Sequence, residues 1–178
     1  MKKAVIFLTD GFEEMEMIVP ADILHRSGVN IILTSLTDSL EVKGSHDIVI
    51  KADNLLTGDV EADMFILPGG PGSNEYIKNN LFCDLLIEHS KKGKFIAAIC
   101  AAPLTLGKLG FLENKEATCY PHLADQLIAK TYKPEAVVTD GNITTGRAAG
   151  ASVEFGLELA RILVGVDEAN RVKEAMFI

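Results

Sequence analysis

The sequence predicts an α/β protein in which a parallel β-sheet is covered by helices on both faces. Short apolar runs at Ala4 to Leu8, Asn30 to Ser35, Met64 to Leu67, Phe95 to Ile99 and Val137 to Thr139 recur with helical patterns between them. That alternation is what a sheet buried on both faces requires. The chain has 178 residues, 48% hydrophobic and 24% charged, which supplies a core and excludes a disordered chain. With no internal repeat, low-complexity segment or Pro/Ser-rich linker, residues 1–178 are expected to form one domain.

The first run, Ala4 to Leu8, meets Asp10 and Glu13 at once, too short and too quickly acidic for a signal peptide. Met17, Ala21, Leu24 and Gly28 then mark one face of a helix beginning at Glu14, kinked by Pro20 and ended by Ser27-Gly28. Leu40 to Ile50 alternates around Lys43-Gly44-Ser45 and reads as a hairpin. Phe82 to Lys92, closed by Gly93, and Ser152 to Val164, closed by Gly165, read as helices, and Asp167 is placed to cap a last short one. Phe95 to Leu106 is a buried strand running into a helix, short of the ~20 residues that span a bilayer. A second hairpin, Val137 to Thr145, turns at Asp140-Gly141. Both hairpins are expected to decorate the sheet.

The net charge of −8, with no Lys/Arg cluster, opposes binding to a phosphate backbone, so nucleic acid is excluded as a partner. No segment suits a membrane. Three cysteines, Cys83, Cys100 and Cys119, form no disulfide framework and point to reduced thiols in the cytoplasm. Cys119-x-x-His122 is the only metal-like spacing among the cysteines and four histidines, and no metal is expected.

The chemistry concentrates on Lys94-Phe-Ile-Ala-Ala-Ile-Cys100-Ala-Ala-Pro103. A strand ends at a cysteine between small residues and a helix follows, the arrangement of a nucleophile elbow. A thiol at the positive end of a helix is expected to have a lowered pKa; the alternative is a core cysteine. Met64 to Leu67 runs into Pro68-Gly69-Gly70-Pro71-Gly72 on the same sheet edge. Amides of Gly69 and Gly70, with that of Ala101, are candidates for an oxyanion hole. Thr9-Asp10-Gly11-Phe12-Glu13-Glu14 puts carboxylates where a dinucleotide pyrophosphate would sit, and no Gly-Lys-Ser/Thr follows the glycine turn, so no phosphate-binding loop is read. Glu13 and Glu14 are expected to serve the helix dipole and solvent. Glu16, flanked by Met15 and Met17, is the candidate raised-pKa acid and proton carrier for Cys100.

Gly-Phe-Glu-Glu-Met-Glu16-Met-Ile-Val-Pro-Ala-Asp, Leu-Pro-Gly69-Gly70, Ala-Ala-Ile-Cys100-Ala-Ala-Pro and Thr-Gly-Arg147-Ala-Ala-Gly-Ala-Ser-Val-Glu-Phe together resemble the DJ-1/ThiJ/PfpI family. The likeness is greatest to its Parkinsonism-associated branch and bacterial relatives. The resemblance implies a flavodoxin-like three-layer sandwich, usually homodimeric. It also implies a reactive cysteine at Cys100, a partner acid at Glu16 and oxyanion amides at Gly70 and Ala101. It places Arg147 beside the pocket and the first helix, with Met15, Met17 and Arg26, at the dimer interface. Tyr120 stands where the branch often has a histidine and is expected to line the pocket, as is His46, which replaces an arginine.

Ala101 after the cysteine departs from the family's protease branch, and no histidine follows His122, which excludes a glutamine amidotransferase. The reading is a glutathione-independent glyoxalase or deglycase acting on small aldehydes such as methylglyoxal or on glycated substrates, without a cofactor. The alternatives are an oxidative-stress sensor or redox-regulated chaperone acting through oxidation of Cys100, and a binding module with no chemistry.

Overall fold

A computed structural model describes residues 1–178. In chain order it contains β1 (Lys3–Leu8), α1 (Glu14–Arg26), β2 (Asn30–Ser35), β3 (Glu41–Lys43), β4 (Val49–Lys51), β5 (Asn54–Leu55) and β6 (Met64–Leu67). There follow α2 (Asn80–Lys91), β7 (Phe95–Ile99), α3 (Pro103–Lys108), β8 (Glu116–Ala117), β9 (Thr131–Tyr132), β10 (Val137–Asp140), β11 (Ile143–Gly146), α4 (Ser152–Val164) and α5 (Val166–Ala175). Seven strands form the central sheet in the order β10-β11-β7-β6-β1-β2-β5. Every pairing in it is parallel except β10 with β11.

Side-chain alternation along the central strands divides the core in two. Ala4, Ile6, Leu8, Ile66 and Ile99 face α1, α4 and α5, packing on Ile23, Leu24, Phe155, Leu159 and Val172. Val5, Phe7, Phe65, Ile96 and Ala98 face the other way, onto Tyr76, Phe82, Leu86 and Leu106. Each fully buried Phe, Ile or Leu contributes about 1.5–3 kcal/mol relative to exposure, so both faces of the sheet are anchored to their helices. No helix is long and apolar enough to cross a membrane.

The hairpin β3–β4 lies off the main sheet, as its sequence suggested, but the second hairpin does not. There β11 pairs with β7 in parallel and β10 closes the sheet as its antiparallel edge. The threonines of β11 hid this role. Thr144 and Thr145 are buried, satisfied by the Thr139 hydroxyl and by the Thr118 amide.

The chain passes from β1 to β2 on one side and returns to β6 on the other, so the strand order reverses beside β1. Ligand crevices of open α/β sheets form at such reversals, beyond the carboxyl ends of the strands. Here that edge collects the loop into α1, the turn after β6 and the elbow after β7.

Candidate functional site

Cys100 ends β7 in a left-handed conformation, φ +63°. For a residue with a Cβ this costs about 1–2 kcal/mol. The surroundings hold it there: its N–H donates to the Gly146 carbonyl at 2.9 Å and its carbonyl accepts from the Tyr120 N–H at 2.7 Å. With β7 flanked by β6 and β11, the thiol sits at a rigid, central point of the sheet.

The Gly69-Gly70 turn is shaped by lack of room. A Cβ on Gly70, whose φ is +85°, would lie 2.5 Å from the Gly11 carbonyl oxygen and 2.7 Å from the Glu13 nitrogen. Below it the buried Tyr76 hydroxyl lies 3.0 Å from both the Phe7 and Pro68 carbonyl oxygens, tying the ends of β1 and β6 together. The amides of Gly70 and Ala101 lie near the Cys100 sulfur and favour its charged form. The Gly69 amide, expected beside them, instead donates to Glu16 Oε2 at 2.8 Å.

Glu16 is fully buried. Its backbone N–H donates to Glu13 Oε2 at 2.8 Å, so Glu13 caps α1 and fixes the first turn that aims Glu16 inward. The carboxyl lies beside the Cys100 thiol, close enough that each shifts the other's titration, and its Oε1 is buried with no hydrogen-bond partner. Burial raises the Glu16 carboxyl to about 7, against the lowering effect of the Cys100 and Gly69 hydrogen bonds.

The thiol does not have the lowered pKa expected of an elbow. Burial, then the charge and hydrogen bond of Glu16, push Cys100 up to about 12, and the Gly70 and Ala101 amides offset only part of this. The helix-end argument overlooked that an ionised carboxylate would share the pocket. Protonating Glu16 removes its charge from the thiol, so the two groups titrate as one pair.

A cavity of about 440 Å3 opens over Cys100 and Ala101, lined also by Gly70, Pro71, Leu104, Tyr120 and Leu123, with Asn74 and Gln126. A larger cleft of about 570 Å3 around Lys3 and Asn54 contains no cysteine, serine or histidine. Tyr120 lines the site as expected from its position. Arg147 and His46 do not: the Arg147 guanidinium donates to the Pro134 carbonyl at 3.0 Å, and His46 is held by Glu14. Of the other thiols, Cys119 is buried and raised to about 11 by burial and Asp125, and Cys83 lies beneath the Tyr76 carbonyl; neither lines the cavity.

Glu14 is the residue that sequence reasoning misplaced. It is 4% exposed and accepts from the His46 N–H at 2.7 Å and the Ser45 hydroxyl at 3.1 Å, while His46 Nδ1 lies 2.8 Å away. Burial pushes this carboxyl up, but those hydrogen bonds prevail and hold it at about 2. Gly44 at the hairpin turn has no room for a Cβ against the same carboxylate. Glu13, Glu14 and His46 also bring donor atoms within 4.8 Å of one another, the one such group of three or more, but their lone pairs serve the α1 cap and the hairpin dock. Met17, expected at a dimer face, is in the core, whereas Met15 and Ile18 on α1 and Ile48 and Val49 on the hairpin are exposed.

Residues 2–162 match the family model described as the DJ-1/PfpI family. The chain belongs to this family. It is 38% identical over 183 residues to protein dj-1beta of Drosophila melanogaster, covering 99% of this chain and 97% of the relative. The crystal structure of that fly protein superposes with a TM-score of 0.94 over 99% of this chain and 98% of its own. A Caenorhabditis elegans relative named glutathione-independent glyoxalase DJR-1.2 is 30% identical, over 95% of this chain and 92% of its own. Oxidized DJ-1 of Toxoplasma gondii, 28% identical, superposes with a TM-score of 0.95 over 99% and 98% of the two chains. These likenesses agree with the sheet order and the helices on both faces.

Proposed function

We propose that this DJ-1/PfpI chain is a glutathione-independent glyoxalase that converts small 2-oxoaldehydes to 2-hydroxy acids. The observation that carries the reading is the half-buried Cys100 thiol on the cavity lining, backed by the fully buried Glu16 carboxyl and by the Gly70 and Ala101 amides near the sulfur. The name of the nematode relative supports it.

Each step uses groups in place. The Glu16 carboxylate takes the thiol proton as Sγ bonds to the aldehyde carbon, and the oxyanion forms against the Gly70 and Ala101 amides. Glu16 returns that proton to the oxygen, giving a hemithioacetal. The carboxylate, free again, removes the hydrogen of the same carbon and delivers it to the adjacent carbonyl carbon through an enediol. A thioester results, and water cleaves it to the hydroxy acid and the free thiol. The net reaction adds one water, oxidising one carbon by two electrons and reducing its neighbour by two. Glycated adducts join the same route once the amine or thiol on the former aldehyde carbon leaves, taking a proton, and Sγ bonds in its place.

A second reading has its own support. The amides that receive an oxyanion also suit a sulfinate on Cys100, and one structural relative is described as oxidized. Under it the chain is an oxidative-stress sensor or redox-regulated chaperone. Under either reading the protein is a homodimer joined through α1 and the β3–β4 hairpin, where Met15, Ile18, Ile48 and Val49 are exposed. Its three free thiols suit the reducing cytoplasm.

The deciding experiment is turnover of methylglyoxal to lactate by reduced protein without glutathione, beside Cys100→Ala and Glu16→Gln. Turnover by wild type that disappears in both variants supports the glyoxalase. Its absence in wild type, with selective sulfinate formation at Cys100 on peroxide treatment, replaces it with the sensor.

A further inference from the structure

Methylglyoxal fills little of the space beside Cys100. It has five non-hydrogen atoms, whereas a cavity of about 440 Å3 falls within the ~300–1,000 Å3 that enclose drug-sized ligands. With the aldehyde carbon at Sγ and its oxygen at the two amides, the substituent on the neighbouring carbonyl is left the rest of the lining, whose large apolar side chains are Leu104, Tyr120 and Leu123. These three form the apolar wall, and the amide side chains of Asn74 and Gln126 complete the lining.

The charge of the lining is as informative as its size. No Lys, Arg, His, Asp or Glu lines the cavity. Arg147 is committed to the Pro134 carbonyl and His46 to Glu14, so neither supplies a cation. A carboxylate brought here would give up its water with no opposite charge in return, and the chain's net charge of −8 adds to the penalty. Tyr120 is well placed to receive a flat group. Its backbone is tied to the Cys100 carbonyl at 2.7 Å, and its ring packs edge-on against His122 at 5.4 Å yet stays 38% exposed. An aromatic side chain fixed in that way offers stacking area with little left to order.

The geometry points to a second subsite, formed by Leu104, Tyr120 and Leu123, that takes the uncharged apolar or aromatic substituent of a 2-oxoaldehyde larger than methylglyoxal. This rests on the glyoxalase reading and gives its substrate class. The chemistry is unchanged: R–CO–CHO and water give R–CHOH–COOH, with phenylglyoxal giving mandelate.

The test compares kcat/KM of the wild-type protein for methylglyoxal, phenylglyoxal and 4-carboxyphenylglyoxal, following hydroxy-acid formation. A Cys100→Ala blank corrects for aldehyde consumed by surface arginines. Phenylglyoxal is expected to exceed methylglyoxal by about tenfold or more, the scale on which apolar pockets discriminate, and to exceed its carboxylated analogue similarly. Leu123→Ala and Tyr120→Ala are each expected to lower the phenylglyoxal-to-methylglyoxal ratio several-fold. Methylglyoxal turnover with no preference for phenylglyoxal, or a ratio unmoved by both variants, overturns the subsite while leaving the glyoxalase standing. No turnover of any of the three aldehydes overturns both.

Discussion

Gly69 and Glu16 meet across the edge of the sheet. The Gly69 amide donates to Glu16 Oε2 at 2.8 Å, and a Cβ on Gly69 would lie 2.7 Å from that oxygen and equally close to the Cβ of Cys100. The glycine thus serves as the third wall of the acid–thiol pair. Gly69→Ala is expected to destabilise the fold by about 1–3 kcal/mol through overpacking and to lower turnover far more than that loss explains, because the acid and thiol are pushed apart. Denaturant unfolding beside methylglyoxal kinetics checks it; a variant with normal kinetics would remove Gly69 from the site.

Two buried groups give stability opposite slopes with pH. Glu16, raised to about 7 in the fold, binds its proton more tightly folded than unfolded, so its contribution is complete below pH ~4.5 and is lost by about pH 7. His89 is buried, stacked on Phe65 at 3.6 Å, with Nε2 3.0 Å from the Phe95 carbonyl oxygen; burial first, and the nearby lysines, lower it to about 4. Its neutral form is favoured, so stability falls as pH drops from ~6.5 to 4. Each slope amounts to about 3 kcal/mol, and in the wild type they largely cancel. Glu16→Gln is expected to expose a rise in stability with pH over that window, and His89→Phe a fall. Parallel profiles in the two variants would refute the assignment.

The same acid sets a kinetic limb. As the base that takes the thiol proton, Glu16 must be ionised, so kcat/KM is expected to rise with pH through about 7. Glu16→Asp should retain a limb at reduced rate and Glu16→Gln should have none. A limb that survives in Glu16→Gln would belong to another group.

His46→Ala leaves the Glu14 carboxylate buried beside the hairpin without its ring partner. The variant is expected to be less stable than wild type at neutral pH, though the backbone N–H at position 46 and the Ser45 hydroxyl still serve the carboxylate. Glu14 is held at about 2 in the fold, so the stability it supplies is present above pH ~4.5 and is lost as pH falls through 2. Acid unfolding of the variant should therefore begin at a higher pH than in wild type, as circular dichroism along a pH titration would read out.

The exposed residues Ile18 on α1 and Val49 on β4 make the proposed dimer testable. Ile18→Glu with Val49→Glu is expected to yield a monomer by sedimentation with the unfolding of a single protomer intact. A wild type already monomeric at micromolar concentration would reject this face.

Much of the fold was legible because Ala4 to Leu8, β6 and β7 are uninterrupted apolar runs, each soon followed by residues that break a strand: Asp10-Gly11, Pro68-Gly69-Gly70 and the small residues before Pro103. The elbow was legible for the same reason, since small neighbours around Cys100 mark where a strand gives way to a helix. The meeting of Glu16 with Cys100 was legible only through family resemblance; no local pattern places a side chain of α1 beneath the end of β7. Glu14 was misread because an acid in a first helical turn suits the dipole and solvent, and its burial depends on a hairpin docking from outside the sheet. Arg147 was set beside the pocket by its motif, while its side chain follows the nearer Pro134 carbonyl. The thiol's pKa was misjudged from helix geometry alone, without the neighbouring charge.

Glycine would occupy the left-handed turn at residue 100 more comfortably than cysteine does. The backbone therefore gives no reason for sulfur at this position, in keeping with the proposed use of the thiol. A descendant released from that use would shed its chemistry at this codon first and keep its shape intact. Among proteins of this outline, architecture records ancestry, and a side chain held in an uncomfortable turn records employment.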